Sequence, residues 1–211
     1  MNCNQFLDNS FLPKLIEENA LIAGVDEVGR GALFGSVVAA VIVLPASSLF
    51  KLSDIGVKDS KQLSAKKRQQ LSQLIRAIAT DWQIASASVA EIDRLNVFHA
   101  SLLAMKRAVI ELKVTPVLCL VDGKFPIPEL PIEQKTLVQG DRNSVLIAAA
   151  SILAKVWRDE LIVNLASDYP EYDLINNKGY PTSKHRLALK QYGLSPLHRT
   201  SFRPCQLENK V

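Results

Sequence analysis

The sequence has no apolar run long enough to cross a bilayer. Its longest, Val37 to Pro45 and Val145 to Ala154, reach about half of the roughly 20 residues a spanning helix requires. No membrane segment is therefore expected. The first residues, MNCNQFLDNSFLPKLIEENA, have neither the basic start nor the continuous apolar stretch of a secretory signal, so a cytoplasmic location is expected. Cysteine is scarce: Cys3, Cys119 and Cys205 are widely spaced, odd in number and form no CxxC pair. They suggest neither a zinc site nor a disulfide framework; reduced thiols are expected, with Cys119 in the core. No Pro/Gly/Ser-rich linker, internal repeat or low-complexity segment divides the chain. One domain over residues 1–211 is expected, with a basic helical segment from about residue 168 included in it.

What is present is the balance of a globular protein, 48% hydrophobic and 22% charged. The formal charge of +4 is too small an excess to identify a partner, but its distribution is uneven. From Lys178 onward the basic residues are Lys178, Lys184, Arg186, Lys190, Arg199, Arg203 and Lys210, against the single acid Glu208. A second group, Lys58, Lys61, Lys66, Lys67 and Arg68, lies before and inside an expected helix. Either cluster alone reads as a solvated helix face. Together, with the acids gathered elsewhere, they point toward phosphate.

Along the chain, Leu21 to Asp26 reads as a strand, followed by a glycine-rich turn and a buried, valine-rich strand from Val37 to Leu44. Ser64 can cap a helix whose Leu71, Leu74, Ile75 and Ile78 recur at helical spacing, and Trp82 to Val89 reads as a third strand. A helical period runs from Ile92 to Leu112, and Pro116 to Val121 forms a strand closed by Asp122-Gly123. A last strand is expected around Thr136 to Val138, then an alanine-rich helix from Asn143 to Leu165 and a smaller one from about Thr182 to Tyr192. Early adjacent strands followed by strands alternating with helices predict an α/β layer fold around one mixed sheet.

Four acids stand where polar side chains are least expected. Asp26 and Glu27 close the first strand, Asp122 closes a later one and Asp141 opens the long helix. Singly, each reads as a turn residue or a complement to a helix dipole. Functional sites in α/β sheets gather at the carboxyl ends of strands, so Asp26, Glu27 and Asp122 would converge if their strands were parallel neighbours. Carboxylates that close repel one another unless a cation lies between them. Oxygen ligands with only three histidines in the chain favour Mg2+ or Mn2+ over zinc. Two such ions suit in-line attack at phosphorus. Because strand residues alternate in direction, Asp26 and Glu27 cannot both face a metal from a regular strand; a turn between or just after them is expected, supplied by Gly29 and Gly31. A competing reading makes Gly29, Gly31 and Gly35 a dinucleotide-binding loop. It requires a helix next, whereas Val37 to Val43 is strand-like.

The motifs resemble those of a known family. GVDEVGRG at 24–31 resembles the opening motif of ribonuclease HII, DSKQLS at 59–64 its second and VDG at 121–123 its third. The similarity continues through GDRNSVLIAAASILAKVWRD at 140–159, KGYPTSKH at 178–185 and PLHRTSF at 196–202, in family order. The resemblance implies a ribonuclease H-like mixed sheet flanked by helices, with a small basic helical C-terminal region. It implies catalytic, metal-binding roles for Asp26, Glu27, Asp122 and Asp141, acting with two Mg2+ or Mn2+ ions. The implied reaction hydrolyses the phosphodiester 5′ of a ribonucleotide, in RNA–DNA hybrids and in duplex DNA containing single ribonucleotides, leaving a 3′-hydroxyl and a 5′-phosphate. Gly29, Arg30 and Gly31 with Tyr180 would examine the 2′-hydroxyl, and Ser60 and Lys61 would hold a neighbouring phosphate. Lys184 and Arg186 belong to the expected phosphate-binding surface. A monomer is expected, with no replication partner specified.

Ala32, Phe34 and Ser36 stand where the family often has proline, alanine and proline, and Pro181 stands where glycine is usual. None of these removes a proposed ligand; Pro181 fixes φ beside Tyr180. Only about 20 residues precede the first strand, which favours type HII over the type HIII enzymes with their additional N-terminal domain. His99 falls within a helix, and His185 and His198 are expected to meet phosphate or structural partners. A binding-only protein, with structural carboxylates and a basic duplex-holding surface, is the alternative; the presence of all four acids counts against it.

Overall fold

The computed structural model describes residues 17–206. Cys3, Glu208 and Lys210 lie outside them. Five strands, β1 (Leu21–Val28), β2 (Val37–Pro45), β3 (Asp81–Ala87), β4 (Leu118–Asp122) and β5 (Glu133–Leu137), form one sheet in the order β3-β2-β1-β4-β5. β2 pairs antiparallel with both β1 and β3, whereas β4 pairs parallel with β1 and β5 parallel with β4. The helices are α1 (Phe50–Asp54), α2 (Ala65–Ile78), α3 (Val89–Leu95), α4 (Val97–Ile110), α5 (Gly140–Asn143), α6 (Val145–Leu165), α7 (Leu174–Asn177), α8 (Ser183–Tyr192) and α9 (Arg203–Gln206). The expected mixed sheet flanked by helices is therefore the observed one.

Strand alternation sorts the core into two layers. Ile22, Ile42, Leu44 and Leu120 pack with α2 and α6 on one face; Ala23, Val25, Val41 and Val121 pack with α4 on the other. β2 is buried along nearly its whole length, as a continuous apolar run in a sheet covered on both faces should be. α6 lies so close to β1 that a Cβ on Gly24 would fall 2.7 Å from the Leu146 carbonyl carbon. A third apolar cluster, including Leu33, Phe34, Ile162, Tyr172 and Leu189, joins the turn after β1 to α6 and the C-terminal helices.

Several elements depart from their sequence-based bounds: β3 ends at Ala87 and Val89 already opens α3, and β5 starts earlier, at Glu133. β1 continues through Glu27 to Val28, because β2 pairs with it as far as Val28↔Val38. The helical run expected from Ile92 to Leu112 is two helices divided at Asn96, whose φ of 67° breaks the backbone while its side chain caps α4 by accepting from the N–H groups of Phe98 and His99. Likewise Asp141 does not open the long helix. It sits in the single turn α5, and Ser144 separates this from α6 by capping the latter through the Ile147 N–H.

Candidate metal centre

The parallel register of β1 and β4 ends at Val25↔Val121, so Asp26 and Asp122 are the next residues out on neighbouring strands. Both share the α6 face with Ile22 and Leu120. Glu27 starts from the opposite face, yet its longer side chain at the strand end brings an oxygen into the same place. Ligand atoms of Asp26, Glu27 and Asp122 lie within 4.8 Å of one another. The turn comes after Val28, at Gly29 with φ +93°, so side-chain reach rather than a break between the two acids unites them.

Burial pushes the Asp26 carboxyl well above its usual range, and the neighbouring Glu27 and Asp122 push it further. A hydrogen bond from Ser151 and the Glu27 N–H, 2.7 Å from Asp26 Oδ1, oppose this only in part. Burial also raises Glu27, against the pull of Arg30, whose guanidinium donates to Glu27 Oε1 at 3.1 Å. Asp122 is raised by burial too, although it accepts the Gly140 N–H at 2.7 Å. Three clustered carboxylates that resist ionisation, with no histidine or thiol among them, form a donor set that fits a hard divalent cation.

Asp141 lies beside this trio rather than within it. Its Oδ2 accepts from Lys61 Nζ at 2.8 Å; this hydrogen bond raises the lysine above its ordinary value. A cleft of about 400 Å3 runs along all four acids and is also lined by Lys61, Lys155 and Tyr180. Ser60 is buried and its Oγ lies 3.1 Å from Ser151 Oγ, on the serine that serves Asp26. Asp59 Oδ1 accepts the Lys61 N–H at 2.9 Å, fixing the short turn that carries both residues.

The turn after β1 buries Gly29 and exposes Arg30 and Gly31. Tyr180 reaches the same cleft from the distant C-terminal segment. Its ring lies 5.3 Å from Lys155 Nζ and 5.4 Å from the Arg158 guanidinium carbon. Lys184 and Arg186 are exposed on α8, and Lys184 Nζ stands 4.0 Å from Asp173; neither lines the cleft of the acids.

Several residues with a bearing on the site lie inside the family-like motifs, yet the sequence alone assigned no site role to Lys155, Arg158 or Arg199. Lys155 lines the cleft and pairs with Asp159 at 2.8 Å. Arg158 and Arg199 are both fully buried and hydrogen bond to backbone carbonyls around the turn. Burial and the nearby Arg158 push Arg199 down to about 9, so it remains a cation at neutral pH. His185 and His198 have structural partners: their Nε2 atoms are 3.0 Å apart. The Ser195 N–H donates to His198 Nδ1 at 2.9 Å, which assigns the proton to His198 Nε2 and makes His185 Nε2 the acceptor. His185 Nδ1 then donates to the Tyr180 carbonyl at 3.0 Å. Burial holds both imidazoles below their usual range, His198 at about 4. A signal for Arg158 does exist, since it stands between Ser151 and Ile162 on the buried stripe of α6.

Comparison with known proteins gives a consistent result. The ribonuclease HII family model matches residues 23–205. Ribonuclease HII of Trichormus variabilis is 56% identical over 207 residues, covering 98% of this chain and 91% of that protein. Ribonuclease HII of Trichodesmium erythraeum is 60% identical over 186 residues, 88% of each chain. The crystal structure of ribonuclease H2 from Pyrococcus horikoshii superposes with a TM-score of 0.76 at 29% identity, covering 89% of this chain and 96% of that one.

Proposed function

Since the chain belongs to the ribonuclease HII family, we propose that it cleaves the phosphodiester 5′ of a ribonucleotide within a duplex, leaving a 3′-hydroxyl and a 5′-phosphate. RNA–DNA hybrids and duplex DNA carrying single ribonucleotides are its substrates. The observation that carries this reading is the trio of buried Asp26 and half-buried Glu27 and Asp122, set at the end of β1 and β4 in the same cleft as Tyr180. A purely binding role leaves three mutually repelling carboxylates without a purpose.

Asp26, Glu27, Asp122 and Asp141 would hold the divalent ions, with Mg2+ or Mn2+ preferred for their oxygen coordination. Two ions so held supply an activated water and stabilise the leaving oxygen. The chain's own residues do the rest. Ser151 and the Glu27 N–H orient Asp26, and the Gly140 N–H orients Asp122. Lys61 exchanges Asp141 for a substrate phosphate, which it holds together with Ser60. Exposed backbone at Gly31 and the Gly29 turn approaches the sugar from one side, while Tyr180 closes on it from the other. The 2′-hydroxyl is the one group that distinguishes the substrate from all-DNA duplex. A site built to bond it rejects deoxyribose because its own polar groups are then left unpaired. Lys184 and Arg186 add sequence-independent attraction for the backbone.

The test compares labelled duplex DNA with one ribonucleotide, an RNA–DNA hybrid and all-DNA duplex, each with and without Mg2+. Cleavage 5′ of the ribonucleotide, only with metal and never on all-DNA duplex, is expected. Binding without metal-dependent cleavage of any substrate would leave the binding-only alternative standing.

A further inference from the structure

Arg158 is an unusual residue to find at the centre of a protein. It sits on α6 seven residues after Ser151 and is 0% exposed. Among the described residues no carboxylate lies within ion-pair distance of it; burial accordingly lowers its pKa. A buried cation of this kind is tolerated only where its donors are well satisfied. Here each of its three nitrogens donates to main chain. Nε donates to the Ser36 carbonyl at 3.1 Å, one terminal nitrogen to the Phe34 carbonyl at 3.0 Å and the other to the Lys178 carbonyl at 3.0 Å.

Those carbonyls belong to two segments that are far apart in sequence. Phe34 and Ser36 continue the turn that begins at Gly29, and Lys178 precedes Tyr180. The side chain also touches both halves directly. A Cβ on Gly29 would fall 2.2 Å from Arg158 Nε, so the guanidinium fills the space beneath the turn. On the other side, the guanidinium carbon stands 5.4 Å from the centre of the Tyr180 ring, within cation–π range. The Leu33 N–H completes the junction by donating to the Gly179 carbonyl at 2.8 Å. Arg199 differs in reach. It donates to the carbonyls of Arg30 and Gly35, at 2.8–3.0 Å, and so bonds the turn alone.

We propose that Arg158 is a positioning residue that locks the Gly29–Gly31 turn to Tyr180 and so sets the width of the cleft between them. This rests on the reading that the turn and Tyr180 sense the sugar. A planar guanidinium suits the task because its donors leave in fixed directions while its face remains free for a ring. A lysine offers one nitrogen and cannot bridge three carbonyls under the tyrosine. Loss of the lock leaves the acids of β1 and β4 in place but lets the two sugar-facing elements separate. Displacements of about 1 Å in such a site lower turnover by up to about a hundredfold.

The experiment uses Arg158→Lys, Tyr180→Ala and the double variant in the full chain. Single-turnover cleavage of a single-ribonucleotide duplex, affinity for all-DNA duplex and Mg2+ binding by calorimetry are measured for each. Fluorotyrosine 19F NMR, with the Tyr180 line assigned from Tyr180→Phe, reports the ring's surroundings without reference to activity. Arg158→Lys is expected to cut turnover about tenfold or more, to leave all-DNA affinity and Mg2+ binding within about twofold, and to shift the Tyr180 line. In the Tyr180→Ala background the same substitution should add less than about twofold, because both act on one element. Wild-type turnover in Arg158→Lys while Tyr180→Ala is impaired would overturn the lock and leave sugar sensing intact. Full additivity would overturn it as well. If Tyr180→Ala itself cleaves normally, sugar sensing by Tyr180 fails, and the NMR line then decides the lock alone: an unshifted line overturns it. Arg158→Gln, which keeps a planar donor, takes the place of the lysine variant in every arm should that variant not fold.

Discussion

Two buried charged regions lie side by side in this protein and are resolved in opposite ways. At the ends of β1 and β4, Asp26, Glu27 and Asp122 are gathered within 4.8 Å with few donors to share, and all are driven toward their neutral forms. Behind the neighbouring turn, Arg158 and Arg199 are buried more deeply still, but backbone carbonyls accept from each of them. Burial alone therefore does not distinguish a functional charge from an architectural one. The distinction lies in whether the fold itself satisfies the charge. The arginines find their partners within the chain, whereas the acids form a set that an external cation could complete.

The sharpest way to break this contrast is to remove one charge from each region. Asp26→Asn or Asp122→Asn should lower cleavage at saturating Mg2+ by about a thousandfold, several kcal/mol of lost transition-state stabilisation. Duplex affinity should stay nearly unchanged, and near-wild-type turnover in either variant would remove it from the ligand set. The same Asp26→Asn change relieves repulsion, so the metal-free protein should melt no lower than wild type. Arg199→Met should do the reverse. It orphans the Gly35 and Arg30 carbonyls at about 1–3 kcal/mol each, giving a denaturant-measured loss of roughly 3 kcal/mol. A neutral outcome there would make the guanidinium dispensable to the turn.

Proton linkage offers a gentler probe. With folded-state pKa values raised above those of the unfolded chain, Asp26, Glu27 and Asp122 bind more protons in the native protein. Their contribution to stability consequently falls as pH rises from the ordinary carboxylate range, near 4, through the raised values. Mg2+ binds the ionised form and should offset this loss. The rise in melting temperature on adding Mg2+ is expected to be larger at pH 8 than at pH 5, and an equal rise at both would refute the linkage. The smallest expected effect concerns the exposed basic face of α8. Replacing Lys184 and Arg186 by alanine should flatten the dependence of log binding constant on log salt by up to roughly 2. An unchanged slope would separate these two residues from the duplex-binding surface.

Much of the architecture was legible in the amino-acid sequence because it depends on neighbours in the chain. The apolar period of α2 and its Ser64 cap are local features, and the structure shows that hydroxyl accepting the Lys67 N–H. The end of β4 at Asp122 was legible for the same reason, whereas β1 runs on past Asp26 to Val28. Asn96 was not legible: the apolar period continues across it, and only the backbone shows a positive φ offset by side-chain capping. The reach of Glu27 round the end of β1 was equally hidden, since strand alternation by itself sends it to the wrong face.

The sequence by itself determined the mixed α/β class, the motif order and the four candidate acids, because periodicity, turn chemistry and family motifs are written over short stretches. Only the tertiary structure decided which charges meet. Lys61 finds Asp141 80 positions away, His185 finds His198, and Arg158 finds Ser36 122 positions away. Pairings of that kind depend on how β1, α6 and the C-terminal segment pack in space. A guanidinium destined for solvent and one destined for three buried carbonyls are the same letter in the chain. Desolvation and hydrogen-bond geometry separate them, and both exist only after the chain has folded.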